Sequence, residues 1–509
     1  MRPGSLAAPL LALLVVCTAA APASAKTPSP LELRPLHAEP DAARGGRIVD
    51  DRGRDVRLRG VNVNALAEYW KGTPFPTVFP FARSDADRMR SIGFNAVRLL
   101  LSWSRVEPQP GRYDDAYLKR AAAVVETLRS RGIYTVVDLH QDAWGPTLAA
   151  PAGTTCASGF ELALGWDGAP GWATLDGGLP RCAAAGIREA SAAVRAAWAA
   201  FFADAPGPGG IGVQTRYVAM LGEVARRFAK TAAVAGYDLM NEPNAFTAEE
   251  QTALSKMYER GLAAVRAGEK RGGGFRHLVL FEPGALWSNT GSGAPPDFKR
   301  DRDVVYAPHI YTGGFDGGPI TKAAFAVARN EAKGFGGAPV LSGEWGGGPE
   351  RAGPKGDGYF TDHQRLQDEF GFSATLWTWR ESCGDPHKVG DVRAGRVPEV
   401  WGEFDVDCRM NRVRGERTAI VGDLTRAWVR AAPGRLARAA YDPSAKTLAA
   451  SGTAPRGAGD LVAFFPGTPK VKVAGLGRPA LVKVPAGGVL VVAAPRGGAW
   501  SVSLRPARG

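Results

Sequence analysis

Histidine and cysteine are scarce, with six and five residues in a chain of 509. No Cys-x-x-Cys pair occurs, which argues against a zinc site built on thiolates. No glycine-rich phosphate loop follows the first strand-like segment, so a doubly wound nucleotide-binding sheet is disfavoured. Beyond the N-terminus no apolar run is long enough to cross a bilayer. Acid excess is also missing: the formal charge is +13, mostly arginine, spread along the chain rather than clustered. That spread reads as a solvated surface with some attraction for anionic lipid or acidic glycan. No nucleic-acid motif occurs, and no nucleic-acid partner is expected.

The first 25 residues, MRPGSLAAPLLALLVVCTAAAPASA, carry an early arginine, a short apolar run and small residues before a cleavage point after Ala25. This pattern predicts a secretory signal and an extracellular protein. Removing it with Cys17 leaves Cys156, Cys182, Cys383 and Cys408. An even number in an oxidising compartment implies disulfides, and proximity favours Cys156–Cys182 and Cys383–Cys408 among three formal pairings.

Residues 26–45, rich in Pro, Ala and charge, read as a flexible leader. A hairpin around DDRGR follows, in place to plug the bottom of a barrel. From there to residue 432 short apolar strands alternate with helices. The strands are read at 60–64, 94–103, 132–142, in GYDLMNEP, and at 277–283, 303–311, 339–348 and 372–379. Eight such strands predict an α/β fold, a (β/α)8 TIM barrel over residues 46–432. A helix near 416–430 is expected to close it. Residues 433–509 turn to β-branched runs punctuated by Gly and Pro, predicting a small C-terminal antiparallel β-sandwich with a packing role.

Polar residues gather where these strands end, which in a parallel barrel is the rim that carries chemistry. Asn241 and Glu242 end the fourth strand and Glu344 the seventh. Two carboxylates on one rim suit glycoside hydrolysis, one protonating the leaving oxygen while the other attacks the anomeric carbon. Glu242, beside Asn241, is read as acid/base, with Asn241 placed to bond a sugar 2-hydroxyl; Glu344 is read as nucleophile, followed by glycines that let substrate approach. Glu242 is expected to have a raised pKa beside an ionised Glu344. Arg98, inside an otherwise apolar strand, is read as the cation that keeps Glu344 ionised. His309 and Tyr311 share a strand face and would orient Glu344. His140 and Asp142 would bind ring hydroxyls; for want of a third partner at suitable spacing a metal is rejected. Trp377 offers a stacking face, Glu282 would stand behind the site, and Lys71 reads as surface. Trp144, Phe160, Leu162, Leu164, Trp166 and Trp172 in the third loop suggest a lipid-facing mouth, with self-packing of that loop as the alternative.

With NEP at 241–243, GEWG at 343–346, NAVRLLLSW at 95–103, PHIY at 308–311 and LWTW at 376–379, the chain resembles glycoside hydrolase family 5. The resemblance covers about residues 45–430. It implies a retaining mechanism through a covalent glycosyl-enzyme, without cofactor, with Glu242 and Glu344 catalytic. It places Arg98, His140, Asn241, His309, Tyr311 and Trp377 around them. DLHQDAWG at 138–145 and the trailing sandwich look like the endoglycoceramidase branch, whose members release intact glycans from ceramide in a cleft polar on one side and apolar on the other. By that resemblance Asp142 contacts the sugar beside the cleaved bond. The expected partner is a glycolipid or oligosaccharide substrate, met by a monomer in transient contact with a membrane surface. An exo-β-glucosidase or endo-β-glucanase keeps the chemistry and changes the substrate; a non-catalytic glycan-binding barrel is the reading from another class.

Overall fold

The computed structural model describes residues 1, 4 and 31–507. The signal segment, apart from Met1 and Gly4, lies outside the described residues. Among the described residues no helix is long and apolar enough to cross a membrane.

Eight parallel strands form one sheet. In chain order they are Arg59–Val63, Ala96–Ser102, Tyr134–His140, Val234–Asp238, Leu278–Phe281, Val304–Tyr306, Leu341–Ser342 and Ser373–Leu376. The first pairs with both the second and the eighth. A parallel bridge from Tyr306 to Val340 joins the sixth to the seventh and completes the cylinder. The strands are buried along their whole length, as the near-continuous apolar runs require when helices cover a parallel sheet.

The surrounding helices start where their caps dictate. Asp114 accepts a hydrogen bond from Tyr117 N at 2.9 Å and opens Asp115–Arg129. Thr247 and Glu250 make a reciprocal capping box for Ala248–Arg271. Sequence reading missed the helix Tyr359–Phe370 before the eighth strand. The helix expected near 416–430 is shorter, Thr418–Leu424. Trp428–Pro433 is instead a strand, because its side chains fill a core beneath the barrel.

That core corrects two expectations. The segment read as flexible leader contains a strand, Leu36–Glu39, in which Ala38 is fully buried. With the hairpin Arg47–Asp50 and Arg54–Val56 it joins a seven-stranded antiparallel sheet whose other strands are Trp428–Pro433, Leu461–Phe465, Val489–Ala493 and Ala480–Lys483. A four-stranded sheet packs on the other side of this one through a separate apolar core. The sandwich therefore takes strands from both ends of the chain. Its larger sheet closes the barrel floor: Trp428, Val462, Phe464 and Leu490 pack against Leu58, Ala96, Val136 and Leu278 from the strand starts.

Both disulfides have the expected pairing, Cys156–Cys182 and Cys383–Cys408. The first closes a small hairpin, Phe160–Leu162 with Cys182–Ala184, just before residues that enter the candidate site.

Phe464 is fully buried between sheet and barrel floor. Phe464→Ala is expected to lower stability by about 3–5 kcal/mol in urea unfolding, with far- and near-UV signals moving together because the two cores share this floor.

Candidate active site

Arg98 lies on the second strand with no exposed surface, under the carboxyl-end rim. Its guanidinium meets four carboxylates: Asp138 at 3.0 Å, Asp238 at 3.0 Å, Glu282 at 2.9 Å and Glu344 at 2.9 Å. It also donates to Asn241 Oδ1 at 2.9 Å and to Asn62 Oδ1 at 3.2 Å. Only a planar five-donor fork reaches so many acceptors at once.

Glu344 accepts from Arg98 through Oε1 and from Tyr311 Oη through Oε2, both at 2.9 Å. Glu242 Oε1 accepts from Ser288 Oγ at 2.5 Å and pairs with His309 Nδ1 at 2.8 Å. The same His309 nitrogen is 3.6 Å from Glu344. One oxygen of each glutamate and a His309 nitrogen lie within 4.8 Å of one another. Both glutamates line one cleft of about 280 Å³.

The backbone at Glu242 has φ 37°, in the left-handed region that costs a side-chain-bearing residue about 1–2 kcal/mol. Gln141 Nε2 donates to the carbonyls of Asn241 and Glu242 at 2.7 and 2.9 Å, and Glu282 Oε2 accepts from Glu242 N at 2.9 Å. These bonds hold the turn that Pro243 follows.

Residues 49–382 match the model for cellulase, glycosyl hydrolase family 5. The chain belongs to that family. A crystal structure of endogalactoceramidase superposes with TM-score 0.82 and 36% identity, covering 93% of this chain and 100% of the other. The lactosyl-enzyme intermediate of endo-glycoceramidase II from Rhodococcus sp. superposes with TM-score 0.68 at 25% identity, covering 90% and 99%. Endoglycoceramidase I of Rhodococcus hoagii (strain 103S) is 29% identical over 297 residues, 53% of this chain and 52% of that protein. The chain spans about half the length, or less, of the curated relatives it matches.

Within this family 5 site the expected residues separate into two layers. His140, Asp142, Asn241, Tyr311 and Trp377 line the cleft with the two glutamates. Arg98 and His309, expected around the two glutamates, lie beneath the cleft and do not line it. His309 holds Glu242 rather than chiefly Glu344. Gly343 lets it approach, since a Cβ there would stand 2.8 Å from His309 Nε2. Among the glycines after Glu344, Gly346 also serves packing: a Cβ on it would stand 2.8 Å from the Trp377 carbonyl. Trp377 stacks on His140 at 5.5 Å and 14°. Lys71 is exposed and outside the cleft. The third-loop aromatics mostly pack inward, Trp144 and Trp172 against Trp103; only Phe160 and Leu162 of the named set are exposed large apolar residues.

Sequence reading missed Arg188. It follows the disulfide-closed hairpin and reaches back over Trp166, 4.3 Å from the ring centroid, to Asp142 at 2.9 Å and Glu242 at 3.7 Å. Asp167, distant in sequence, supplies the third oxygen or nitrogen near His140 and Asp142 whose absence argued against a metal. His140 is bonded through Nδ1 to Asp138 at 2.7 Å, and Asp142 is engaged by Arg188. Spacing offered no signal for either residue.

The expected protonation order is reversed. Burial pushes the Glu242 carboxyl up, but the hydrogen bond and charge of His309, then Arg188, bring it below its ordinary value. Burial raises Glu344, the charges of His309 and Arg98 offset this only in part, and Glu242 adds to the rise. Arg98 is shared by too many carboxylates to hold Glu344 low. His309 is itself raised: burial opposes its charge, but Glu282, Glu344 and Glu242 outweigh it. Beside His140, burial pushes Asp167 up to about 8; the charge of His140 opposes the rise, and Asp142 and Asp138 add to it.

Arg98→Met would strand four carboxylates without their shared cation. It is expected to cost at least about 3–5 kcal/mol in denaturant unfolding, and Arg98→Lys to recover little of it, because one ammonium cannot replace the fork.

Proposed function

We propose that this chain is a secreted, retaining, endo-acting β-glycosidase that splits the bond between glycan and lipid in glycolipids. One observation carries the reading: Glu242 stands on the wall shared by two unlike spaces. On one side is the cleft where His140, Asp142, Asn241 and Glu344 stand beside the aromatic faces of Tyr311, Phe315, Trp377 and Trp401. On the other is a larger, more apolar groove of about 700 Å³, bordered by Ile187, Phe246, Ala285 and Leu286 and by the charged Arg188, Glu189 and Arg195. Ile187 and Leu286, 56% and 57% exposed, put two large apolar side chains on the rim of that groove. A proton donor between a sugar-sized cleft rich in carboxylates and aromatic faces and a more apolar groove suits an aglycone that is lipid. Relatives named endoglycoceramidase and endogalactoceramidase support the same class. The two disulfides and the N-terminal pattern support export.

In this reading Glu344, aimed by Tyr311 and Arg98, attacks the anomeric carbon as the bond to the lipid oxygen breaks. Glu242 gives that oxygen its proton. The glycosyl ester on Glu344 is then attacked by water, which loses a proton to Glu242, and Glu344 leaves as carboxylate. Retention requires carboxyl groups about 5–5.5 Å apart, whereas inversion needs roughly 6.5–9.5 Å to admit water; the 4.8 Å bound on the nearest atoms favours retention. Glu242 must be protonated when substrate is bound. An apolar aglycone in the groove excludes water from Glu242 and parts it from Arg188, and both changes raise its pKa.

Fluorescent glycosylceramide beside soluble cellulose tests the substrate class; robust cellulose turnover with no ceramide released would reject the lipid reading in favour of a glucanase. Glu344→Gln is expected to lower turnover by roughly three orders of magnitude or more with binding retained. For Glu242→Ala, added azide should yield a β-glycosyl azide, and an α product would reject retention.

Arg188→Gln removes a positive charge from beside Glu242, so the Glu242 pKa rises. The acid then stays protonated to higher pH, and the alkaline limb of kcat/KM is expected to move upward. A limb that stays put, or moves down, would exclude Arg188 from control of this acid.

A further inference from the structure

On the barrel floor, opposite the cleft, seven arginines and only three carboxylates line one cavity. The cavity of about 110 Å³ is several times the space that one water needs. Its carboxylates are already engaged. Asp55 faces Arg57 at 3.2 Å, Asp368 is shared by Arg59 and by Arg426 at 2.6 Å, and Glu369 meets Lys322 and Arg365. Just outside, Asp41 is shared between Arg44 at 2.8 Å and Arg435 at 3.3 Å.

Arg329 is left over. Its guanidinium donates to the Phe370 carbonyl and rests over the Phe372 ring at 5.1 Å, but among the described residues no carboxylate pairs with it. Burial and the like charges of Arg57 and Arg435 push its pKa down to about 10, so it remains a cation at neutral pH. The C-terminal end of helix Tyr359–Phe370 offers partial negative charge for one cation, not for this excess. Arg59, 8% exposed, also has two guanidinium nitrogens, Nε and Nη1, with no hydrogen-bond partner among the described residues. Like charges held together and unfilled donors are what an anion would repair, and paired guanidinium forks match tetrahedral oxyanions.

We propose that this pocket binds a phosphate-type oxyanion bridging Arg57, Arg329 and Arg435. Such an ion ties together the end of the N-terminal hairpin, the helix Lys322–Gly334 and the strand Arg435–Asp442, segments far apart in sequence. Its effect is on stability, at a distance from the cleft, and it does not depend on the glycosidase reading. Two sources supply this chemistry, a free phosphate and a lipid headgroup. A bilayer held at the floor would leave the cleft facing away from it, which favours the free ion.

Thermal unfolding in inorganic phosphate, against chloride at matched ionic strength, is the test. At phosphate well above the dissociation constant the wild-type Tm is expected to rise by about 2 °C or more over chloride. Arg329→Gln should lose that rise while its Tm in chloride is no lower than wild type, since a repelled cation has gone. Arg409→Gln, an exposed change of equal charge, should keep it. Calorimetric titration of the wild type with phosphate reads binding directly should a variant fail to fold. Sedimentation with phosphatidylcholine vesicles, with and without phosphatidate, distinguishes the sources: Arg329-dependent retention on phosphatidate alone assigns the headgroup, and its absence beside a phosphate response assigns the free ion. Equal response to phosphate and chloride without vesicle retention, or an Arg329→Gln variant that responds like wild type, overturns the proposal.

Discussion

A single guanidinium at the centre of the barrel rim holds the candidate site in register. Arg98 touches groups on or just after five other strands: Asn62, Asp138, Asp238, Glu282 and Glu344. Burying such a set is expensive, and its attraction seldom returns more than the desolvation it costs. Its effect is on geometry. Each acceptor takes one direction of a rigid fork, so the strand ends cannot rotate or slide without leaving a charge unpaired in the interior. Glu344 is one arm of this arrangement, and Glu242 is fastened to it through Glu282 and His309.

The negative charge around Arg98 also decides who holds protons. One guanidinium cannot neutralise four carboxylates, so His140 and His309 are pulled toward the imidazolium form despite burial. The protons therefore belong to a coupled cluster rather than to any one glutamate. This is why Glu242 is held low and Glu344 high, against a simple assignment of acid and nucleophile.

The scaffold keeps rigid and variable parts apart. Below, a sheet with strands from both chain ends seals the floor with apolar side chains. Above, disulfide-closed insertions reach over the rim. One carries Arg188 to Asp142 and Glu242; the other brings His387 and Lys388 to the cleft wall. The first insertion and the barrel loops after the fourth and fifth strands together border the groove beside Glu242.

Much was legible from local pattern. Apolar runs with polar exits marked the barrel strands because a buried parallel strand becomes polar only where it leaves the cylinder. Glu242 and Glu344 stood out for that reason, and the cysteine pairs followed from short separations. Other features had no local signature. Leu36–Glu39 looked like a charged leader because its partner strands begin next door and resume only at residue 428. Arg188, Ser288 and Asp167 are ordinary loop or helix residues until the chain folds back. The direction of each pKa shift depends on burial and on charges from several segments brought together by folding. Residue type and periodicity thus determined which chemistry was carried to the rim; only tertiary structure decided how charge is shared there, because electrostatic coupling depends on separation in space and not along the chain.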